Sequence, residues 1–178
     1  MSPSNSQRRR PQWAREAAGI FLLALAVGIF LSLVTYHPLD PSINTATAPT
    51  ATTRNAVGLV GAYLADCLVQ VFGVASYVFA IALAMLGQVV FRPTEFRSPA
   101  GAVASSLIFA LSLAALFELH PGSASLLPGA PSGGGMTGHL LASVGLRLFN
   151  SVGLHVLLVA AVLIGALCAT HMSFHTTY

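Results

Sequence analysis

Among the 178 residues, six histidines, two cysteines and five carboxylates have the strongest claim to chemistry, and their spacing argues against most of it. Cys67 and Cys168 form no C-x-x-C pair, so a redox dithiol is not expected, and both read as small apolar residues. Every Lys/Arg-class cation is arginine, at Arg8, Arg9, Arg10, Arg15, Arg54, Arg92, Arg97 and Arg147. Without lysine there is neither a Walker A phosphate loop nor a Schiff base. His37, Asp40, Glu118 and His120 offer zinc-ligating atoms but no tight ligand spacing, so no metal site is expected. His155 lies in an apolar stretch without a second buried acid or base, so a hydrogen bond to a neighbouring helix or a hydrated gap suits it better than a proton path. No serine stands in a nucleophile motif. The expectation is a chain with no catalytic residue, no cofactor and no metal.

The elements that hold these residues belong to a bilayer. Hydrophobic residues make up 55% of the chain and charged residues 7%, too little polar surface to cover a water-soluble domain of this size. Residues 1–16 read as a disordered basic cytoplasmic tail, with Trp13 as an interfacial anchor. Residues 17–36 carry no charge and suit a first span, since about 20 helical residues cross the hydrocarbon core. A cleaved signal peptide fits less well, because the apolar run is long and the nearest Ala-x-Ala, ending at Ala48, is followed by Pro49. Residues 37–55 form a proline-rich loop. The apolar stretch 56–91 is too long for one span, and splitting it into an interfacial helix at 56–68 and a span at 69–91 keeps Asp66 near water. After a charged turn at 92–97 come a third span at 98–117, a Gly/Pro/Ser-rich loop at 118–135, an interfacial helix at 136–148 and a fourth span at 149–170. Residues 171–178 read as the start of a cytoplasmic linker. The expected fold is all-α membrane: four transmembrane helices in two repeated hairpins, with short interfacial helices before the second and fourth spans.

Charge sets the orientation. The tail and the 92–97 turn hold six of the eight arginines, which places both termini in the cytoplasm under the positive-inside rule. The sequence pI of about 9.3 then reflects a juxtamembrane basic run attracted to anionic lipid, because no basic stripe with interleaved aromatics follows it.

The two halves repeat. Tyr36, His37 and Pro38 after the first span echo Leu119, His120 and Pro121 after the third. Gly58, Gly61, Leu64 and Ala65 match Gly135, Gly138, Leu141 and Ala142, with Phe72 and Phe149 at the same offset and Gly73 and Gly153 following after a small shift. Small residues recur at four-residue spacing as expected packing stripes: Ala24, Gly28, Ser32; Ser76, Ala80, Ala84; Ser106, Ala110, Ala114; and Ala161, Gly165, Ala169.

Three blocks carry a family resemblance. Tyr36, Pro38, Asp40, Pro41 and Ser42 resemble the Y-x-P-x-D-P-S signature of the membrane domains of FtsK/SpoIIIE-type DNA translocases. Asn55, Gly58, Gly61, Ala62, Ala65 and Asp66, followed by Phe72 and Gly73, are similar to that family's N-x-x-G-x-x-G-A-x-x-A-D…F-G. Gly134, Gly135 and Gly138, with Gly133, resemble the glycines preceding its fourth span. The resemblance implies a multi-pass anchor in the bacterial inner membrane, a homo-oligomer with six copies as one option, enriched at the division septum and touching other division proteins there. It implies DNA contact, ATP and Mg only through a motor domain that this stretch does not contain. From the residues alone, Asp40 between two prolines suits an Asx-type turn. Asp66 suits a cap, a pair with Arg54 or Arg147, a subunit contact or a solvated interfacial carboxylate. The alternative function, a small four-helix transporter or channel subunit, calls for broken helices or paired ionisable groups near the midplane, which the spans lack apart from His155.

Overall fold

Helix is the regular structure throughout the residues that the computed structural model describes, which are 12–43, 53–91, 99–120, 122–127 and 132–170. The arginine run at 8–10, the turn at 92–97, Pro121 and residues 171–178 lie outside them. Helix α1 is Gln12–Val34, 23 residues or about 35 Å of helix. It starts earlier than the composition suggests: residues 12–16 are helical, and Gln12 Nε2 donates to Glu16 Oε1 at 3.1 Å, one turn on. Helix α2 is Gly58–Phe72, a 3₁₀ turn follows at Gly73–Ser76, and α3 is Tyr77–Phe91. Helix α4 is Pro99–Leu119, and a second 3₁₀ turn at Ser123–Leu126 gives structure to a loop that carried no signal for it. Helix α5 is Gly135–Thr170, interrupted at Asn150.

Three stretches are long and apolar enough to cross a membrane: Gln12–Val34, Gly58–Gln88 and Gly135–Cys168. A shorter apolar helix runs over Val103–Leu119. Breaks divide both of the longer stretches. The first falls at Gly73, where φ is 58°, and not between residues 68 and 69; the left-handed conformation that ends α2 costs glycine little. The second falls at Asn150, with φ 56° and ψ 172°. Gly153, which the sequence aligns with Gly73 after a shift, is ordinary helix; the residue in Gly73's register, 77 positions on, is Asn150.

Packing follows two pairs, α1 against α3 and α4 along α5, while α3 and α4 touch over little of their length. The pairs are joined at one end, the elbow end, where α2, both 3₁₀ turns and the start of α5 meet. Leu33, Ala65, Val69 and Leu127 form the core there, and Ala115, Leu154 and Leu158 bury the contact of α4 with α5. At the far end the Arg15 guanidinium donates to Val90 O at 3.3 Å.

The small-residue stripes pack unevenly. Ser76, Ala110 and Ala114 are fully buried, Ala80 nearly so, and a Cβ on Gly165 would meet Phe109 at 3.0 Å. In α1 only Ser32 of its stripe is buried: Ala24 is exposed and a Cβ on Gly28 would meet nothing within 4 Å. There the contact face runs through Gly19, Ala26 and Leu33.

Candidate functional site

Asp40 ties the first two blocks into one structure. His37 O accepts from Asp40 N–H at 3.0 Å, closing a turn around Pro38 that swings the carboxylate inward, where it is 5% exposed. Its Oδ1 accepts from Arg54 N–H and its Oδ2 from Asn55 N–H, both at 2.9 Å. The Asp40 side chain thus accepts backbone hydrogen bonds, and the two bonds span the loop to residues 14 and 15 positions later. Two donors on one carboxylate are charge-assisted bonds, stronger than neutral ones.

Asn55 continues the clamp. Its Nδ2 donates to Ser32 O at 2.8 Å, its Oδ1 accepts from Val57 N–H at 3.1 Å, and its C=O accepts from Gly58 N–H at 2.8 Å. Thr35 Oγ1 accepts from Ala56 N–H at 3.0 Å. The start of α2 is thus pinned to the last turn of α1. Gly61 and Ala62 are buried against that junction, and a Cβ on Gly61 would strike Asn55 Oδ1, Val57 and, at 2.7 Å, Ser32 Oγ. The glycine is required by closeness of approach.

Asp66 is 6% exposed, buried and not solvated. Its Oδ1 accepts from the Tyr36 hydroxyl at 3.2 Å and its Oδ2 from Gln70 Nε2 at 2.7 Å. Among the described residues no arginine pairs with it, and the Arg54 guanidinium reaches His37 Nε2 at 2.9 Å. Burial first, then the neighbouring carboxylate charge and its hydrogen bond, push the Tyr36 phenol up to about 12. Tyr36 therefore stays a donor across the physiological range.

The third block meets the second at a glycine crossing. Val74 N–H donates to Gly133 O at 2.8 Å and Thr137 Oγ1 donates to Val71 O at 2.7 Å. A Cβ on Gly73 would collide with Gly133 O and, at 2.7 Å, with Gly135 N; one on Gly135 would lie 2.6 Å from Gly73 N. Gly134 and Gly138 press on Ala114 O, 2.5 Å from a Cβ on Gly138, so the same loop also seats the end of α4. Glu118 locks it, Oε2 accepting from Gly134 N–H at 3.2 Å and Oε1 facing His139 Nδ1 at 3.0 Å.

The four zinc candidates do not converge: His37 is engaged by Arg54, Asp40 by backbone, and Glu118 by Gly134 and His139. Among the described residues no three His, Cys, Asp or Glu side chains form a metal-sized group. His155 Nδ1 bonds Ser151 O at 2.7 Å in its own helix, not on a neighbour, and its ring lies 5.7 Å from that of His120 on the end of α4. Cys67 and Cys168 are both free and exposed. Sequence reasoning missed Gln70, Thr137 and His139; the signal for Gln70 was its place one helical turn after Asp66. Thr137 and His139 find partners on other elements and gave no local signal.

What the arrangement does is hold loops and helices in fixed register at one end of the bundle. Over residues 12–178 the chain matches the family described as the 4TM region of DNA translocase FtsK/SpoIIIE. It is 31% identical over 166 residues to DNA translocase FtsK of Pseudomonas syringae pv. syringae, 90% of this chain and 20% of that protein. To DNA translocase FtsK of Azospirillum brasilense it is 37% identical over 145 residues, 79% of this chain and 22% of that one. To that of Pseudomonas putida it is 33% identical over 168 residues, again 90% and 20%. No solved structure matches it. The chain thus spans about a fifth of the length of these relatives, and the match falls on their membrane region, not on an ATPase motor. Clamped loop, glycine crossing and matched residues coincide from α1 to the end of α5, and the chain belongs to the FtsK/SpoIIIE four-transmembrane family.

Proposed function

We propose that this chain is the membrane anchor and oligomerisation platform of an FtsK-type DNA translocase, tethering a DNA motor at the division septum and contacting other division proteins in cell division and chromosome segregation. The observation that carries this reading is the coincidence of the family match with a rigid elbow end built from Asp40, Asn55, Asp66 and the glycine crossing. Such an end offers a fixed surface for protein contacts. In this reading four helices cross the inner membrane as two repeated hairpins, α2 and the first part of α5 lie at the outer interface, and both termini are cytoplasmic. Supporting the repeat, Gly58 and Gly135 both have positive φ, as do Gly73 and Asn150, each pair 77 residues apart. Copies assemble into a ring, six being the count a hexameric motor would impose. The domain itself holds no cofactor; ATP, Mg and DNA belong to the motor.

Native mass spectrometry of the detergent-purified chain, with imaging of a fluorescent fusion in dividing cells, tests this. A discrete oligomer with septal enrichment supports the anchor. A monomer dispersed around the membrane overturns it and favours the small-transporter alternative.

A further inference from the structure

We propose that His120 and His155 form a binding site for one divalent transition cation of the zinc type, which staples the end of α4 to the second part of α5. The two rings stand 5.7 Å apart, centre to centre, with 72° between their planes. Each is oriented by its own helix: His120 Nδ1 lies 2.8 Å from Leu116 O, and His155 Nδ1 lies 2.7 Å from Ser151 O. A carbonyl oxygen only accepts, so in the neutral rings both Nδ1 atoms carry the proton and both Nε2 atoms present a bare lone pair. Among the described residues neither Nε2 has a hydrogen-bond partner. Metal-binding histidines share this arrangement, the second nitrogen donating to a carbonyl or carboxylate that fixes the tautomer and aims the ring.

The spacing agrees with that chemistry. At a Zn–N bond of about 2.0–2.1 Å the centre of a bound imidazole lies roughly 3.2 Å from the metal, so two rings on one tetrahedral zinc have centres about 5.2 Å apart, and about 6.4 Å is the limit. The observed 5.7 Å falls between these values. A shared metal must also lie in both ring planes, which planes 72° apart allow and stacked planes do not. An edge-to-face ring contact needs the same distance but not the same tautomer in both rings. His120 is exposed and His155 half-buried, so a cation reaches them from outside the bundle at the elbow end. Among the described residues no third His, Cys, Asp or Glu completes a cluster, so water fills the remaining positions and the ion is exchangeable. The two histidines are 35 positions apart, which is why no ligand spacing marks them. The ion ties two helices of one chain and serves no reaction, and the inference stands or falls apart from the septal reading.

The test is zinc protection of histidines in the tag-free, detergent-purified chain. Diethyl pyrocarbonate acylates a free imidazole nitrogen, and peptide mass spectrometry reads each histidine separately. Zn²⁺ at about ten times its Kd, set by calorimetric titration, should slow the modification of His120 and His155 together by about tenfold, as mass action requires, and leave His139 unchanged. His120→Gln should remove the protection of His155, and His155→Gln that of His120. In both variants the zinc-free modification rate of the remaining histidine should stay at its wild-type value, which a misfolded chain would not keep. Protection of neither ring, or of one without the other, in the wild-type chain overturns the proposal. So does zinc uptake that vanishes in the His171→Ala/His175→Ala double variant, because it would assign the ion to those two histidines, four residues apart in sequence.

Discussion

The smallest unit of this structure is a carboxylate with two backbone donors. Asp40→Ala leaves the Arg54 and Asn55 N–H groups facing a space that water enters poorly, and about 1–3 kcal/mol of stability should be lost, read from thermal unfolding in detergent. Asp40→Asn keeps one acceptor and turns an amide NH₂ toward the other donor, so it should fall between the two. Tyr36 makes a prediction in pH. Its phenol titrates near 10 when unfolded and near 12 in place, so the folded state holds the proton more tightly. That contribution is fully present below pH 10 and is lost as pH rises through 12. A phenolate absorbance titration of Tyr36→Phe should show one fewer late-titrating tyrosine than the wild-type chain. Both residues were visible in the sequence as members of a motif. Their partners were not, because a loop 14 residues long gives no local sign of which backbone N–H will meet Asp40.

At the scale of elements, hydropathy located each α-helix among the described residues, since uncharged runs of spanning length leave few alternatives. The positions of the breaks were harder to read. Both were expected near the right place, the first from the length of its apolar run and the second by likeness to the first, but charge avoidance put the first at residue 68, whereas backbone conformation put it at Gly73. The second split was placed between residues 148 and 149, beside the break, but nothing marked Asn150 itself as its residue. At φ 56° and ψ 172° it sits where glycine is nearly alone in being comfortable, at a cost of about 1–3 kcal/mol. Asn150→Gly should therefore raise the unfolding temperature even though it gives up the bond from Ser151 N–H to the Asn150 side chain, and Asn150→Val should lower it. At the crossing the sign reverses: Gly135→Ala places a Cβ 2.6 Å from Gly73 N and at φ 62°, and should cost more than Gly28→Ala, whose Cβ meets nothing. Parallel melting curves of the two variants decide it.

For the whole molecule, the proposed topology puts the two free cysteines on opposite sides. Cys67 on α2 should react with a membrane-impermeant maleimide added to intact spheroplasts, and Cys168 near the end of α5 only after permeabilisation. The reverse pattern would invert the topology read from arginine placement. The glycine crossing also has a consequence in time. Gly73 settles against Gly133 and Gly135, which leave the ribosome about 60 residues after it, or roughly 3–12 s later at ordinary elongation rates. Until then the α2 elbow lacks its partner. Biosynthesis therefore passes through a half-built intermediate that a chaperone or insertase has seconds to hold, and variants at the crossing should lengthen its life before they alter the finished fold.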